Sequence, residues 1–252
     1  ARRRRPRGHL AVVGLGPGDA RHRTPAASAA VVGADVVIGY GPYIEQAADL
    51  ITPRHEVIPS PIGDEEGRVT RARAEAEAGR RVALVCSGDA GVYALAALVW
   101  EAADPGADAD VEVVPGVTAA LAAASLLGAP LGHDHAAISL SDLLTPWEDI
   151  ERRLEAAAAG DFVVALYNPR SRGRPHHLDR ARTVLLAHRS PDTPVGVVTD
   201  AYRPGQRVTV TTLEALDPEA VGMTTVVIVG ASSSRAVAGR MVTPRRLPVG
   251  RV

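Results

Sequence analysis

The stretch LYNPRSRGRPHH at 166–177 holds the densest polar cluster in the chain: Tyr167, Asn168, Arg170, Arg172 and Arg174, directly after an apolar run. Guanidinium forks pair bidentately with carboxylates, so these arginines could hold a polyanionic substrate; a solvated charged loop is the plainer alternative. Ser139, Ser141 and Asp142 in ISLSDLLTPWEDIERRLEAA, 138–157, also follow a run of strand character. Small hydroxyls and a carboxylate there can face a cleft. The rest of that stretch reads as helix initiation, with Thr145 as cap, Pro146 in the first helical position and Glu148 in the third.

A second group of chemical candidates sits at glycine turns. GLGPGDARHRTP, 14–25, follows the apolar run Leu10 to Val13 and offers Gly14 and Gly16 as the first two glycines of a dinucleotide fingerprint. Asp19 occupies the third glycine's place, where close helix packing is needed. Pro17 removes an amide that a pyrophosphate would use, and Asp19 adds negative charge beside it. The turn therefore suits a phosphate-free nucleoside, or is a plain turn capped by Asp19. LVCSGDAGVYA, 84–94, places Ser87, Gly88 and Asp89 at a second strand end, where Asp89 can meet a ligand or cap a helix. VVPGVTAA, 113–120, supplies a third turn through Pro115 and Gly116, with Thr118 opening a helix. Three such turns at three strand ends favour a shared binding crevice.

Other chemistries are excluded or disfavoured. All 28 basic side chains are Arg, so no lysine Schiff base or lysine general base is available. The eight His residues follow no metal-ligand spacing, and GHDHA at 132–136, although it holds His133, Asp134 and His135, lacks further ligands. No protein-bound metal is expected. There is no Gly-x-Ser-x-Gly elbow, and the single Cys86 lies within an expected buried strand, which disfavours thiol catalysis. One cysteine cannot form an internal disulfide, consistent with a cytoplasmic setting. A net charge of −1 gives no reason to expect nucleic acid or an anionic membrane as partner. No apolar run reaches the roughly 18 residues that a transmembrane helix needs.

The elements that must carry these residues are strands and helices in alternation. Strands are expected at 9–13, 34–38, 55–58, 81–86 and 111–114, with helices near 24–32, 41–50, 65–79, 91–103 and 117–127. Such alternation implies a parallel sheet covered on both faces. The second half offers strands at 136–140, 161–167, 194–199, 207–212 and 224–229, and helices at 147–159 and 176–189. Its last runs are close together, and RPGQR at 203–207 reads as a hairpin turn, so this sheet should be partly antiparallel. The expected organisation is two α/β domains, 9–116 with a mainly parallel sheet and 117–243 with a mixed one, and a ligand cleft between them. Residues 1–8 read as a disordered basic tail or the junction of a longer polypeptide, and 244–252 as a loose tail.

Taken in order, VVGLGPGD, SGDAGVY and PGVTAA resemble signatures of the tetrapyrrole methylase family, over roughly residues 9–243. SLSDLLTPWEDIERRL and LYNPRSRGR are similar to its branch that methylates precorrin-3B at ring carbon 17 during cobalamin synthesis. The resemblance implies a homodimer of paired α/β domains with S-adenosylmethionine in the interdomain cleft, leaving as S-adenosylhomocysteine. It implies Pro17, Ser87, Gly88, Asp89, Val92, Thr118 and Ala119 as cofactor contacts, with Asn168, Ala201 and Thr225 from the second domain. Many relatives carry Pro where this chain has Ala90, and Asn and Gly where it has Asp200 and Tyr202. The implied reaction contracts the macrocycle to precorrin-4. For its proton movements the candidates are Asp142, His133 and His135. Ser139, Ser141, Arg170, Arg172 and Arg174 are candidates for holding the tetrapyrrole. A cobalt-containing substrate, another precorrin position, or a silent nucleoside-binding module are the alternatives.

Overall fold

A computed structural model describes residues 8–103 and 110–245; of the tail expected at 1–8, residues 1–7 lie outside the described residues, as does the end of the chain from 246, whereas Gly8 is buried and its carbonyl accepts from the Asp110 amide at 3.0 Å. The chain forms two compact units, Ala1–Ala119 and Ala120–Val252.

In the first unit the strands are β1 (His9–Gly14), β2 (Val36–Tyr40), β3 (Glu56–Ser60), β4 (Arg81–Cys86) and β5 (Asp110–Val114). The helices are α1 (Pro25–Gly33), α2 (Gly41–Gln46), α3 (Glu65–Glu77) and α4 (Ala96–Glu101). The strands make one sheet in the order β3-β2-β4-β1-β5. Every pairing in it is parallel. The alternation of side chains along each strand explains why both faces are apolar. Leu10, Val12, Val36, Ile38, Val82 and Leu84 join one buried cluster with residues of α3 and α4. Ala11, Val13, Val37, Ala83 and Val85 join a second with residues of α1.

α5 (Ala119–Leu127) carries the chain into the second unit, followed by β6 (Gly128–Ala129) and β7 (His135–Ser139), then α6 (Trp147–Ala159), β8 (Val163–Tyr167) and α7 (His177–Leu186). It continues through β9 (Pro194–Thr199), β10 (Arg207–Thr212), β11 (Thr225–Val229), β12 (Arg235–Val237) and β13 (Arg240–Val242). The main sheet runs β10-β9-β11-β8-β7, with β7 and β8 parallel and the other neighbours antiparallel. Strands 207–212 and 194–199 pair through the expected turn. Trp147, Ile150, Leu154, Ala157 and Ala158 form the buried stripe of α6 at helical spacing and pack with Leu178, Ala181 and Leu185 of α7 on one face. On β9, a Cβ at Gly196 would lie 2.3 Å from Leu127, so glycine there leaves room for the last residue of α5.

The α/β class, the parallel first sheet and the mixed second sheet agree with expectation; three local readings do not. α4 starts at Ala96 rather than 91, because residues after Asp89 form a turn in which Tyr93 takes φ +51°, outside helical space. Pro146, not Thr145, is the N-cap of α6, with extended ψ of 145° and no side-chain cap hydrogen bond. The small sheet β12-β13-β6 was unexpected, since its strands have three residues or fewer and no apolar run marks them.

Candidate functional site

β4, β1 and β5 are neighbours, and the three glycine turns leave their carboxyl ends along one rim. Gly16 and Gly88 exchange both backbone hydrogen bonds, at 3.0 and 2.7 Å, with φ of +76° and +68°. The Gly16 carbonyl also accepts from the Gln46 amide at 2.9 Å and the Ser87 hydroxyl at 3.3 Å. A Cβ on Gly116 would stand 2.1 Å from the Gly88 carbonyl oxygen and 2.6 Å from that of Gly14, so the backbones of all three turns touch. Asp89 fastens them further: its Oδ1 accepts from the Gly91 amide at 2.8 Å and its Oδ2 from the Gly116 amide at 3.0 Å. Asp89 thus ties the second turn to the third, a role that neither capping nor direct ligand contact had suggested.

The arginines of the first turn are already paired. Asp19 accepts from the Arg21 amide and guanidinium, which hold its carboxyl well down, at about 2. Arg23 is paired with Asp49 at 2.5 Å and with the Gln46 carbonyl at 3.3 Å. With both arginines taken and Pro17 buried without an amide hydrogen, the first turn is a poor pyrophosphate cradle. A Cβ on Gly88 would meet Ala119 N and Thr118 Cα, both at the ordinary contact distance of 3.8 Å, so this turn lies directly against the backbone of Thr118 and Ala119. Val92, half-buried, and Tyr93, exposed, follow on the same loop.

In the second unit the carboxyl ends of β7, β8 and β9 share an edge with the first residue of β11, because Thr225 pairs with Thr199. Ser139, Asn168, Ala201 and Thr225 are therefore brought together on this edge. Asn168 donates to the Ser139 hydroxyl at 2.9 Å, and that oxygen also accepts from the Ser141 amide at 3.2 Å. Thr225 is buried, its hydroxyl 2.9 Å from that of Thr199. Asn168, Asp200 and Tyr202 all take positive φ, near +50°, +50° and +58°. Such backbone outside glycine costs of order 1 kcal/mol or more and gathers at functional edges. The Tyr202 hydroxyl lies 2.8 Å from that of Ser125 on α5, which helps hold the turn.

The arginine loop is divided in use. All three nitrogens of Arg170 are taken, by the Pro175 carbonyl at 3.2 Å, the Glu219 carbonyl at 3.2 Å and the Glu219 carboxylate at 2.5 Å. Arg174 donates to the Ser141 hydroxyl. Arg172 is exposed and has no ion pair among the described residues. Asp142 meets His177 at 2.9 Å, and this hydrogen bond holds its carboxyl below the usual carboxylate range. His133 and His135 do not join them. His135 opens β7 whereas Ser139 closes it, so both histidines sit at the opposite end of the strand and are exposed. Cys86 is buried, and desolvation pushes its thiol up to about 12.

Residues 9–217 match the family of Tetrapyrrole (Corrin/Porphyrin) Methylases. The chain belongs to this family. Among its relatives, a probable cobalt-factor III C(17)-methyltransferase of Salmonella typhimurium is 47% identical, over 94% of this chain and 98% of that one. A precorrin-3B C(17)-methyltransferase of Sinorhizobium is 43% identical, over 91% of each. A cobalt-factor III methyltransferase of Priestia megaterium is 46% identical over 95% of this chain, which spans only 45% of its length. The solved structure of the methyltransferase CobJ superposes with a TM-score of 0.90 at 40% identity, covering 94% of this chain and all of that one. A cobalt precorrin-4 methyltransferase follows at 0.72 and 25%, covering 88% and 94%.

Within this tetrapyrrole methylase the rim formed by the three turns tests whether S-adenosylmethionine fits. There the backbones of three turns meet, Arg21 and Arg23 are paired with Asp19 and Asp49, and Thr118 leads into α5 at Ala119. Those features suit a nucleoside without phosphate better than a dinucleotide. Sequence reasoning missed His177, Glu219 and Ser125. Each partners a residue 35, 49 or 77 positions away, and no local pattern announces such pairs.

Proposed function

We propose that this chain is an S-adenosylmethionine-dependent C-methyltransferase acting at ring carbon 17 of precorrin-3B or of its cobalt counterpart, with contraction of the macrocycle. The observation that carries this reading is the full-length match, at 43% and 47% identity, to relatives named for that reaction. When bound, S-adenosylmethionine supplies an electrophilic methyl group on a sulfonium. Ser87, Gly88, Val92, Thr118 and Ala119 would hold it by backbone and small side chains, with Pro17 behind and Asp89 keeping the turns in register. Asn168, Ala201 and Thr225 are carried over from the family resemblance as further contacts, Thr225 through its backbone because its hydroxyl is engaged.

Methyl transfer is an in-line displacement: a carbon–carbon bond forms as the carbon–sulfur bond breaks, and S-adenosylhomocysteine leaves. Positioning supplies most of the catalysis for such a step, and no covalent enzyme intermediate is required. The tetrapyrrole's peripheral carboxylates would meet Arg172 foremost, with Arg174, Ser141 and Ser139 behind. No metal held by the protein takes part in this reading; among the described residues no group of three or more His, Cys, Asp or Glu could hold one. We further propose that the protein works in the cytoplasm as a homodimer; among the described residues no helix is long and apolar enough to cross a membrane.

The test is incubation with S-adenosylmethionine and, separately, precorrin-3B or cobalt-factor III, read by product mass and absorption. The expected product carries one more methyl and the spectrum of a contracted ring. A methyl gain without contraction would move the chain to another branch of the family. Cofactor binding without turnover of any tetrapyrrole would leave a nucleoside-binding module instead.

A further inference from the structure

The loop after β7 and the start of α7 meet in a polar contact that the proposed reaction has not yet used. Asp142 Oδ2 lies 2.9 Å from His177 Nε2, and the His177 side chain is 12% exposed against 37% for Asp142. The imidazole is therefore the inner partner and the carboxylate the outer one. Behind it, the His177 ring stands edge-on to Trp147 with centroids 5.0 Å apart at 90°. Trp147 is itself fixed, its indole N–H donating to Glu151 at 2.9 Å and its face covered by the Arg180 guanidinium at 4.1 Å. His177 Nδ1 is buried without a hydrogen-bond partner. A bare lone pair there costs less than an unpaired N–H, so the proton belongs on Nε2, donated to Asp142.

We propose that His177 is a positioning residue: it fixes the orientation of the Asp142 carboxylate at the carboxyl-end edge of the second sheet, where that carboxylate acts as proton acceptor for an O–H or N–H of the tetrapyrrole. In that step the H–O or H–N bond breaks, the proton forms a bond to a carboxylate oxygen, and the electron pair stays on the ring atom. Three observations single out this pair among the candidates. Asp142 shares its edge with Ser139 and Asn168, whereas His133 and His135 lie at the far end of β7. The neighbouring cation, Arg174, is tied to Ser141 beside Asp142 and further favours the anion. The remaining charged groups near the ring, Arg180 and Glu151, face Trp147 rather than the carboxylate. The arrangement is that of a base oriented by a second group.

This inference rests on the proposed methyltransferase activity, and its test separates the two. Asp142→Asn, His177→Gln and His177→Phe are compared with wild type for kcat, tetrapyrrole KM, the pH profile of kcat/KM, S-adenosylhomocysteine affinity and Tm. Asp142→Asn should lower kcat about 100-fold, the lower range for loss of one acid–base group. His177→Phe should lower kcat about 10-fold and move the acid limb of kcat/KM to higher pH, because the carboxyl loses the donor that depresses it. His177→Gln keeps an N–H donor and should restore part of both, with cofactor affinity unchanged in all three. An active wild type whose His177→Phe variant keeps the wild-type acid limb, or whose Gln and Phe variants are equally impaired, overturns the role of His177. A wild type inactive on every tetrapyrrole overturns the proposed activity and this inference with it.

Discussion

Arg170 and Arg172 stand two residues apart in one loop and have different work to do. Arg170 spends its guanidinium on Glu219 and the Pro175 carbonyl, so its loss should loosen the loop. The Glu219 side chain is 74% exposed, which keeps the ion pair itself to about 0–1 kcal/mol. Arg172 has no such commitment and is free to pair with a carboxylate from solution. Arg172→Ala should therefore raise the tetrapyrrole KM several-fold, leaving Tm and cofactor affinity at wild-type values. Arg170→Ala should instead lower Tm by a few degrees, with kcat and KM changing together. Steady-state kinetics beside a thermal melt separates the two, and equal KM effects without a change in Tm would contradict the assignment. The sequence shows both arginines alike, because what distinguishes them is Glu219, brought close by the fold.

Among the elements, the strands were legible and the turns only partly so. β1, β2 and β4 are nearly continuous apolar runs, the pattern a strand covered on both faces must have, and this exposes them in the sequence. β12 and β13 have three residues each and mostly exposed side chains, so no periodicity marks them. The glycine turns were visible as composition, but their mutual contact was not. Gly116 shows the difference most sharply, since its missing Cβ makes room for two backbone carbonyls, of Gly88 and Gly14, and backbone cannot swing aside. Gly116→Ala should destabilise the first unit by about 1–3 kcal/mol or more, the cost of overpacking a rigid site. It should also abolish cofactor binding, since the three strand ends can no longer meet. Gly173→Ala, in the arginine loop with nothing within 4 Å, is the control and should leave stability near wild type. Denaturation midpoints and calorimetric affinity for S-adenosylhomocysteine decide; a Gly116→Ala protein that binds normally would dissolve the shared rim.

For the whole molecule, stability should decline on both sides of neutrality for separate physical reasons. Asp19, Asp49, Asp142 and Asp149 each sit beside Arg or His, and each carboxyl is held below its usual range by a side-chain hydrogen bond. A group whose folded pKa is depressed stabilises the fold above its unfolded value and loses that contribution as pH falls through the folded one. The acid decline should therefore begin near the ordinary carboxylate range of about 4 and continue toward about 2, where Asp19 lies. Cys86 runs the other way. Burial raises its thiol from 9.0 to about 12, so the unfolded chain ionises first and the folded state loses ground as pH climbs between those values. Cys86→Ala removes that alkaline dependence, since the alanine cannot ionise, while leaving a small cavity that lowers the plateau uniformly. Urea midpoints followed from pH 3 to 10.5 should show a wild-type decline above pH 9 that is shallower in Cys86→Ala. Cys86 in β4 reports on the first unit, and Trp147, buried in α6, reports on the second once Trp100 of α4 is replaced by Phe. Because the thiolate is the reactive form, Cys86 should resist a thiol reagent at pH 8 until urea opens the first core. Rapid labelling of the native protein, or parallel alkaline slopes for wild type and variant, would show that the thiol is not shielded as its burial requires.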